Sequence, residues 1–375
     1  MPKLNTLTKL LLALVGIVIL FVVIGVLLTA SREPEIETEN TPTKEAPELT
    51  EGLIGRTNFG QSPSLELVTS GPLHPASPLL QVGSRVAYQD IERNVFVGQT
   101  RLDSVPSLPI RDWVYTADGF LLVDSVSGPL VLSNMNRLEN LPAQVVALAP
   151  YGDAYRYVEY VENNRSFVIK QSDSPLIGDD AQTLGQLPTT IARPELSIHT
   201  VADETYVLVR DVEEDGFYEV WQLTAEGVRK LLDLSGVKSL RVFADFVLFS
   251  DYLETPSDLR DSKINLLDLR DSEKPFVQAL NWTPVLGASE IYGEPSADRC
   301  DYDAPRRLLY CLVKEQDVDS SFEDYRDVLF TYDLARRRIE YPYPTLTFSA
   351  ARVYVLAGEV YLNLQDTGEL YTLTN

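Results

Sequence analysis

Apolar positions fall into three regimes along the chain. Leu10 to Leu28 is an unbroken run of 19 residues with no charge and no proline. Residues 31–52 reverse this: they are rich in Glu, Thr and Pro and nearly devoid of apolar side chains. From Leu53 onward, short runs rich in Val, Leu, Tyr and Phe alternate with clusters of Gly, Asp, Asn and Pro. No segment there holds a long helical period, so the texture predicts an all-β region.

Within that region one unit recurs: an apolar strand, a tight polar turn and a second strand. It appears as VFVGQTRLD (95–103), PLVLSNMNRLENL (129–141), SFVIKQSDS (166–174) and EVWQLTAEGVRKLLDL (219–234). It returns as INLLDLRDSEKPFVQAL (264–280) and LFTYDLARRRIEY (329–341), and a seventh copy, ELYTLTN (369–375), has the first strand only. One or two further strands are predicted ahead of each copy, among them FLLVDS (120–125), TYVLVRD (205–211), FVLFSD (246–251), RLLYCLV (307–313) and EVYLNL (359–364). Successive copies start 34 to 65 residues apart. Four-stranded propeller blades run about 40–50 residues, so the spacing fits blades with some insertions. SLELV (64–68) is placed to supply the outer strand that the seventh copy lacks, leaving no open sheet edge.

On these repeats residues 60–375 resemble the β-propeller superfamily, with seven blades of the quinoprotein-like or WD40-like kind. The resemblance implies an all-β propeller closed by an N-terminal strand; the 10–28 and 31–52 patterns add one transmembrane helix and a disordered linker ahead of it. DTGELYTL (366–373) is similar to the strand turn of quinoprotein-like repeats in outer-membrane assembly scaffolds, although their regular Trp is missing. No WD dipeptide, kelch double glycine or sialidase Asp-box is present. A β-sandwich or a pair of β domains is the competing architecture.

The 10–28 run would rise about 28 Å as a helix, close to the hydrocarbon thickness of a bilayer. Lys3 and Lys9 precede it and Glu33, Glu35, Glu37 and Glu39 follow it. Positive flanks stay in the cytoplasm, so the expected topology is single-pass. Residues 1–9 are cytoplasmic, 10–30 span, 31–52 form an acidic disordered tether, and 53–375 form an extracytoplasmic domain in the periplasm or at the cell surface. A cleaved signal peptide is the alternative; its apolar core is ordinarily about 7–15 residues, shorter than this one. The bilayer is thus the first expected partner.

Charge narrows the other partners. The net charge is −23, of which residues 53–375 carry −20. Nucleic acid is an unfit partner, because binding it needs a basic footprint. Two Cys and two His are too few for a zinc cluster. Cys300 and Cys311, in RCDYDAPRRLLYC, are close enough to bridge outside the cytoplasm. Cys311 is expected in an inner strand and Cys300 in the loop before it, so the bond would pin that loop.

Two long acidic loops are the candidate recognition surface: DYLETPSDLRD (251–261) and EQDVDSSFEDYRD (315–327). Propeller geometry puts both on one face. Asp317, Asp319, Glu323 and Asp324 would then approach Asp258 and Asp261, a set suited to a basic protein partner or to Ca²⁺. No other cofactor is implied, and Asp317-x-Asp319 lacks the glycine and ordered ligands of a calcium loop.

No G-x-S-x-G, H-E-x-x-H, Walker A or C-x-x-C motif occurs. His74 and His199 read as packed or surface residues. The expected function is a non-catalytic binding or scaffold module facing an envelope or surface protein. An accessory subunit docked through its helix is one alternative. A carbohydrate-binding or glycoside-hydrolysing protein is the other, and it requires carboxylates and aromatic rings converging on the ring axis.

Overall fold

A computed structural model of the chain describes residues 64–69, 71–135, 137–178, 181–201, 203–251, 264–269, 276–280, 289–292, 296–317, 325–343, 346 and 349–374. They form seven antiparallel sheets of four or five strands. Blade one comprises β2 (Leu80–Val82), β3 (Arg85–Gln89), β4 (Val95–Val97) and β5 (Thr100–Arg101). Blade two comprises β6 (Ile110–Tyr115), β7 (Phe120–Ser125), β8 (Gly128–Ser133) and β9 (Arg137–Glu139). Blade three holds β10 (Val145–Tyr151), β11 (Ala154–Val161), β12 (Ser166–Ser172) and β13 (Gln182–Leu187). Blade four holds β14 (Pro194–Val201), β15 (Glu204–Asp211), β16 (Tyr218–Thr224) and β17 (Gly227–Leu234). In blade five are β18 (Val237–Val242), β19 (Phe246–Asp251), β20 (Ile264–Asp268) and β21 (Phe276–Leu280).

Blade six is the exception in strand number. β22 (Ser289–Tyr292) and β23 (Cys300–Asp303) share the inner edge of β24 (Leu308–Asp317), which pairs outward with β25 (Tyr325–Asp333) and β26 (Arg338–Tyr343). Blade seven runs β27 (Ala350–Leu356), β28 (Glu359–Leu364) and β29 (Leu370–Thr374), and its outer strand is β1 (Ser64–Leu67). Ser64 pairs with Thr374 and Leu67 with Tyr371, so the anticipated closure by residues 64–68 forms, one residue shorter.

The seven repeats read from the sequence begin at the third strands β4, β8, β12, β16, β20, β25 and β29, and all but the last run on into the fourth. Their apolar runs follow from burial on both faces. In β19, Phe246 and Leu248 pack toward blade six while Val247 and Phe249 pack toward blade four. In β24, Leu309, Cys311 and Val313 face blade five while Tyr310 and Leu312 face blade seven. Each space between neighbouring blades therefore holds its own core. The seventh–first joint, built on Leu73, Val86, Tyr88, Tyr354, Tyr361 and Leu370, closes the circle. Gly368 serves that joint: its φ is +69°, and a Cβ there would lie 2.9 Å from Pro72. Its carbonyl accepts from Leu73 N–H at 2.7 Å.

The disulfide forms, with a correction to its setting. Cys300 opens the inner strand β23 rather than lying in a loop, and sits directly opposite Cys311 with Cα atoms 4.1 Å apart. Both are wholly buried. The bond staples two strands of one blade together. Among the described residues no helix is long and apolar enough to cross a membrane. The 10–28 run and the 31–52 segment lie outside the described residues.

Candidate functional site

The innermost strands β6, β14, β18, β23 and β27 surround a cavity of about 640 Å³ on the ring axis. Its walls carry four arginines (Arg111, Arg210, Arg241, Arg352) and four carboxylates (Asp112, Asp124, Glu195, Asp301). An adjoining space of about 290 Å³ is lined more by apolar groups, including Trp113, Leu122 and Ile198.

Arg111 reaches the axis because of a local irregularity. The β6–β7 register jumps between Ile110 and Asp112, leaving Arg111 as the extra residue of a bulge. Bulges re-aim side chains in this way. Its Nε donates to Asp124 Oδ2 at 3.0 Å and Nη2 to Asp124 Oδ1 at 2.6 Å, a bidentate pair. Nη1 bonds Glu195 Oε1 of blade four. Glu195 Oε2 accepts from Arg210 Nη1 at 3.3 Å. On the other side Arg241 of β18 donates to Asp301 Oδ1 at 3.1 Å and to the Cys300 carbonyl. Asp301 Oδ2 accepts from Val355 N–H at 2.7 Å. Charge-assisted bonds of this kind are the stronger class, and they tie blades two to four and five to seven across the axis.

Two groups remain outside these pairs. Asp112 accepts from its neighbour Trp113 N–H at 2.9 Å. Its side chain is exposed to the open cavity space while the ring surrounds it. Desolvation within that ring pushes its pKa up to about 6 against the pull of Trp113 N–H and Arg241, with Asp124 and Asp301 adding to the rise. Arg352 is only 8 % exposed. Its guanidinium lies 5.2 Å from the Tyr354 ring centroid, and its Nε is buried without an acceptor. Among the described residues no carboxylate lies within ion-pair distance of it. Burial first, then the Arg241 charge, lowers its pKa.

His199, expected to be a packed or surface residue, lines this cavity. Its Nε2 shares a hydrogen bond of 2.8 Å with Ser197 Oγ. Burial and the Arg111 charge bring its pKa down to about 4, so the ring is neutral at physiological pH. His74 lies away from the axis, and its Nδ1 accepts from Ala76 N–H at 3.2 Å.

Five of the six acidic residues singled out by sequence (Asp258, Asp261, Asp319, Glu323 and Asp324) lie outside the described residues. Asp317 is the last residue of β24, its backbone paired with Ser289. The 315–327 segment is thus less of a loop than its composition suggested, because β24 runs to Asp317 and β25 starts at Tyr325. Asp327, counted there as loop, is buried. It accepts from Arg299 Nη2 at 2.7 Å, Ser349 Oγ at 3.0 Å and Ala350 N–H at 2.9 Å. Among the described residues no group of three or more His, Cys, Asp or Glu is arranged to hold a metal ion.

Solved structures share this ring. The chain is similar to the β-propeller domain of Cps50 (Swd1) from Myceliophteria thermophila, with a TM-score of 0.50 and 9 % identity over 83 % of this chain and 100 % of that one. The described domain is a seven-bladed β-propeller. The extracellular domain of BT4673 from B. thetaiotaomicron aligns with a TM-score of 0.47 and 12 % identity over 84 % of this chain. This chain spans 40 % of the length of that one. The β-propeller domain of the trilobed protease from Pyrococcus furiosus aligns with a TM-score of 0.39 and 11 % identity over 77 % of this chain and 79 % of that one. At such identities the likeness concerns the fold alone. No protein-family model and no curated protein sequence matches the chain.

The axis was not found from sequence because its charges come from seven strands spread along the chain. The available signal was a charge set inside an apolar strand, as in IRDWVY (110–115) and AARVYVL (350–356).

Proposed function

We propose that this propeller is a membrane-anchored, extracytoplasmic, non-catalytic module that binds a protein partner at the cell envelope. In this reading residues 10–28 hold it in the bilayer with residues 1–9 in the cytoplasm. Residues 31–52 are the tether, and 53–375 present the ring. The observation that carries the binding role is the state of the axial carboxylates. Asp124, Glu195 and Asp301 are all held by arginines, so among the described residues of the cavity Asp112 has no second free carboxyl of the kind glycoside hydrolysis uses. The buried Cys300–Cys311 bond supports an oxidising compartment.

The partner-binding face in this proposal is the one carrying the 251–261 and 315–327 segments, with Ca²⁺ as a bridging ion if their acids act on a metal. Crosslinking the full chain in its native membrane, followed by mass spectrometry, tests it. The expected result is a near-stoichiometric protein crosslinked to the ring. Recovery should fall when Asp258, Asp261, Asp317, Asp319, Glu323 and Asp324 are changed together to Asn or Gln. Unchanged recovery would remove this face from the proposal. Crosslinks confined to residues 10–28 would favour an accessory subunit docked by its helix.

A further inference from the structure

The eight charged residues of the axial cavity, four arginines and four carboxylates, cancel in formal charge, and the residue left unpaired on each side is informative. Three arginines and three carboxylates pair within the cavity. One arginine and one carboxylate do not. Arg352 is more than nine-tenths buried, lines the cavity and meets no carboxylate among the described residues. A buried guanidinium without a counter-charge is expensive, because desolvation is not repaid by any pairing. Asp112 opens onto the same space, and among the described residues only its neighbour's N–H bonds to it.

We propose that the axial cavity binds a small organic anion, its carboxylate gripped by Arg352 and a hydroxyl or amine of the same molecule donated to Asp112. Three features select this chemistry. The planar fork of Arg352 matches a carboxylate with two parallel bonds, which an ammonium would not do. One unpaired cation suits one negative charge, whereas a phosphate dianion would face Asp112 and the paired Asp301 with too little positive charge to offset them. The volume, about 640 Å³, falls in the range of small-molecule sites, and Phe243 and Tyr302 give it apolar walls. This site stands on the axis and does not depend on whether the ring face carries a protein partner.

Calorimetric titration of the full chain in detergent at pH 7.5 tests the proposal, with acetate, lactate and galacturonate as probes and with galactose and inorganic phosphate as comparators. Saturable binding of lactate or galacturonate is expected, tighter than acetate, with galactose and phosphate well below. Arg352→Gln should weaken that binding by about tenfold or more, the scale of a lost charge-assisted bond. Arg352→Lys keeps the charge and the packed stem but loses the fork; it should stay folded and bind measurably worse, which covers the case of a Gln variant that fails to fold. Asp112→Asn should remove the preference for lactate over acetate. The proposal is overturned if the folded protein binds none of the three carboxylates, if phosphate binds as well as they do, or if both Arg352 variants keep full affinity.

Discussion

Blades six and seven are neighbours closed in opposite ways. Blade six is made from one continuous stretch, 289–343, and carries an extra inner strand and a covalent staple between β23 and β24. Blade seven borrows its outer strand from residues 64–67, where Leu67 is 51 % exposed. That strand is held by the β1–β29 ladder and its continuation: Val68 N–H to the Leu370 carbonyl at 2.8 Å and Leu370 N–H to Thr69 Oγ1 at 3.1 Å. One blade is fixed by side chains packed around a cross-link, the other by backbone pairing. The comparison teaches that a ring can be locally strong and still depend on a thin seam.

Asp327 belongs to both sides of the comparison, so its removal should do most damage. On β25 it anchors Arg299, Ser349 and the first residue of blade seven. Asp327→Ala would strand the Arg299 charge, with an expected loss of about 3–5 kcal/mol in denaturant unfolding of the full chain. Next in size is the staple. Cys300→Ala with Cys311→Ala removes a short closed loop and should cost about 3 kcal/mol. Its effect on hydrogen exchange should centre on β23 and β24. A loss spread evenly round the ring would mean that blade six is no firmer than its neighbours.

Thr69→Val probes the seam. It keeps the shape and deletes the acceptor of the buried Leu370 N–H, for an expected cost of about 1–2 kcal/mol, with faster exchange of that amide. Protection of Leu370 equal to wild type would show that the seam does not rely on this bond. pH between 4 and 7.5 should leave the contrast between the two blades nearly untouched, because Asp112 and His199, shifted to about 6 and about 4, sit on blades two and four. His199, with its pKa lowered to about 4, contributes stability that is complete above about pH 6.5 and is lost as pH falls toward 4. Asp112, with its pKa raised to about 6, acts in the other direction, favouring the fold as pH falls from 6 toward 4. The His199→Gln variant should therefore gain stability relative to wild type at pH 5 compared with pH 7.5. The difference between Thr69→Val and the cysteine double variant should be the same at both values.

The parts of the fold legible in the sequence were those buried on two faces. Third strands such as Ile264–Asp268 read as largely apolar runs because Ile264 and Leu266 enter one interblade core and Leu267 the next. Second strands such as Phe246–Asp251 and Glu359–Leu364 were legible for the same reason. First strands were harder, since they mix core residues with the charges of the axis: β6 interleaves Ile110 and Trp113 with Arg111 and Asp112. Cys300 was misplaced into a loop because β23 is four residues long and follows a 3-10 turn at Ala297–Arg299. The Arg111–Glu195 pair spans 84 positions and was beyond any local pattern.

The pairing of Ser64 with Thr374 also bears on how the protein is made. The first-synthesised strand of the ring must wait for the last, so the circle stays open until translation has passed residue 374. Until then β28 presents a bare edge able to recruit a strand from another nascent chain. Such a long-range final step predicts slow completion and a need for protection during synthesis, when six blades are ready and the seventh is still half a sheet.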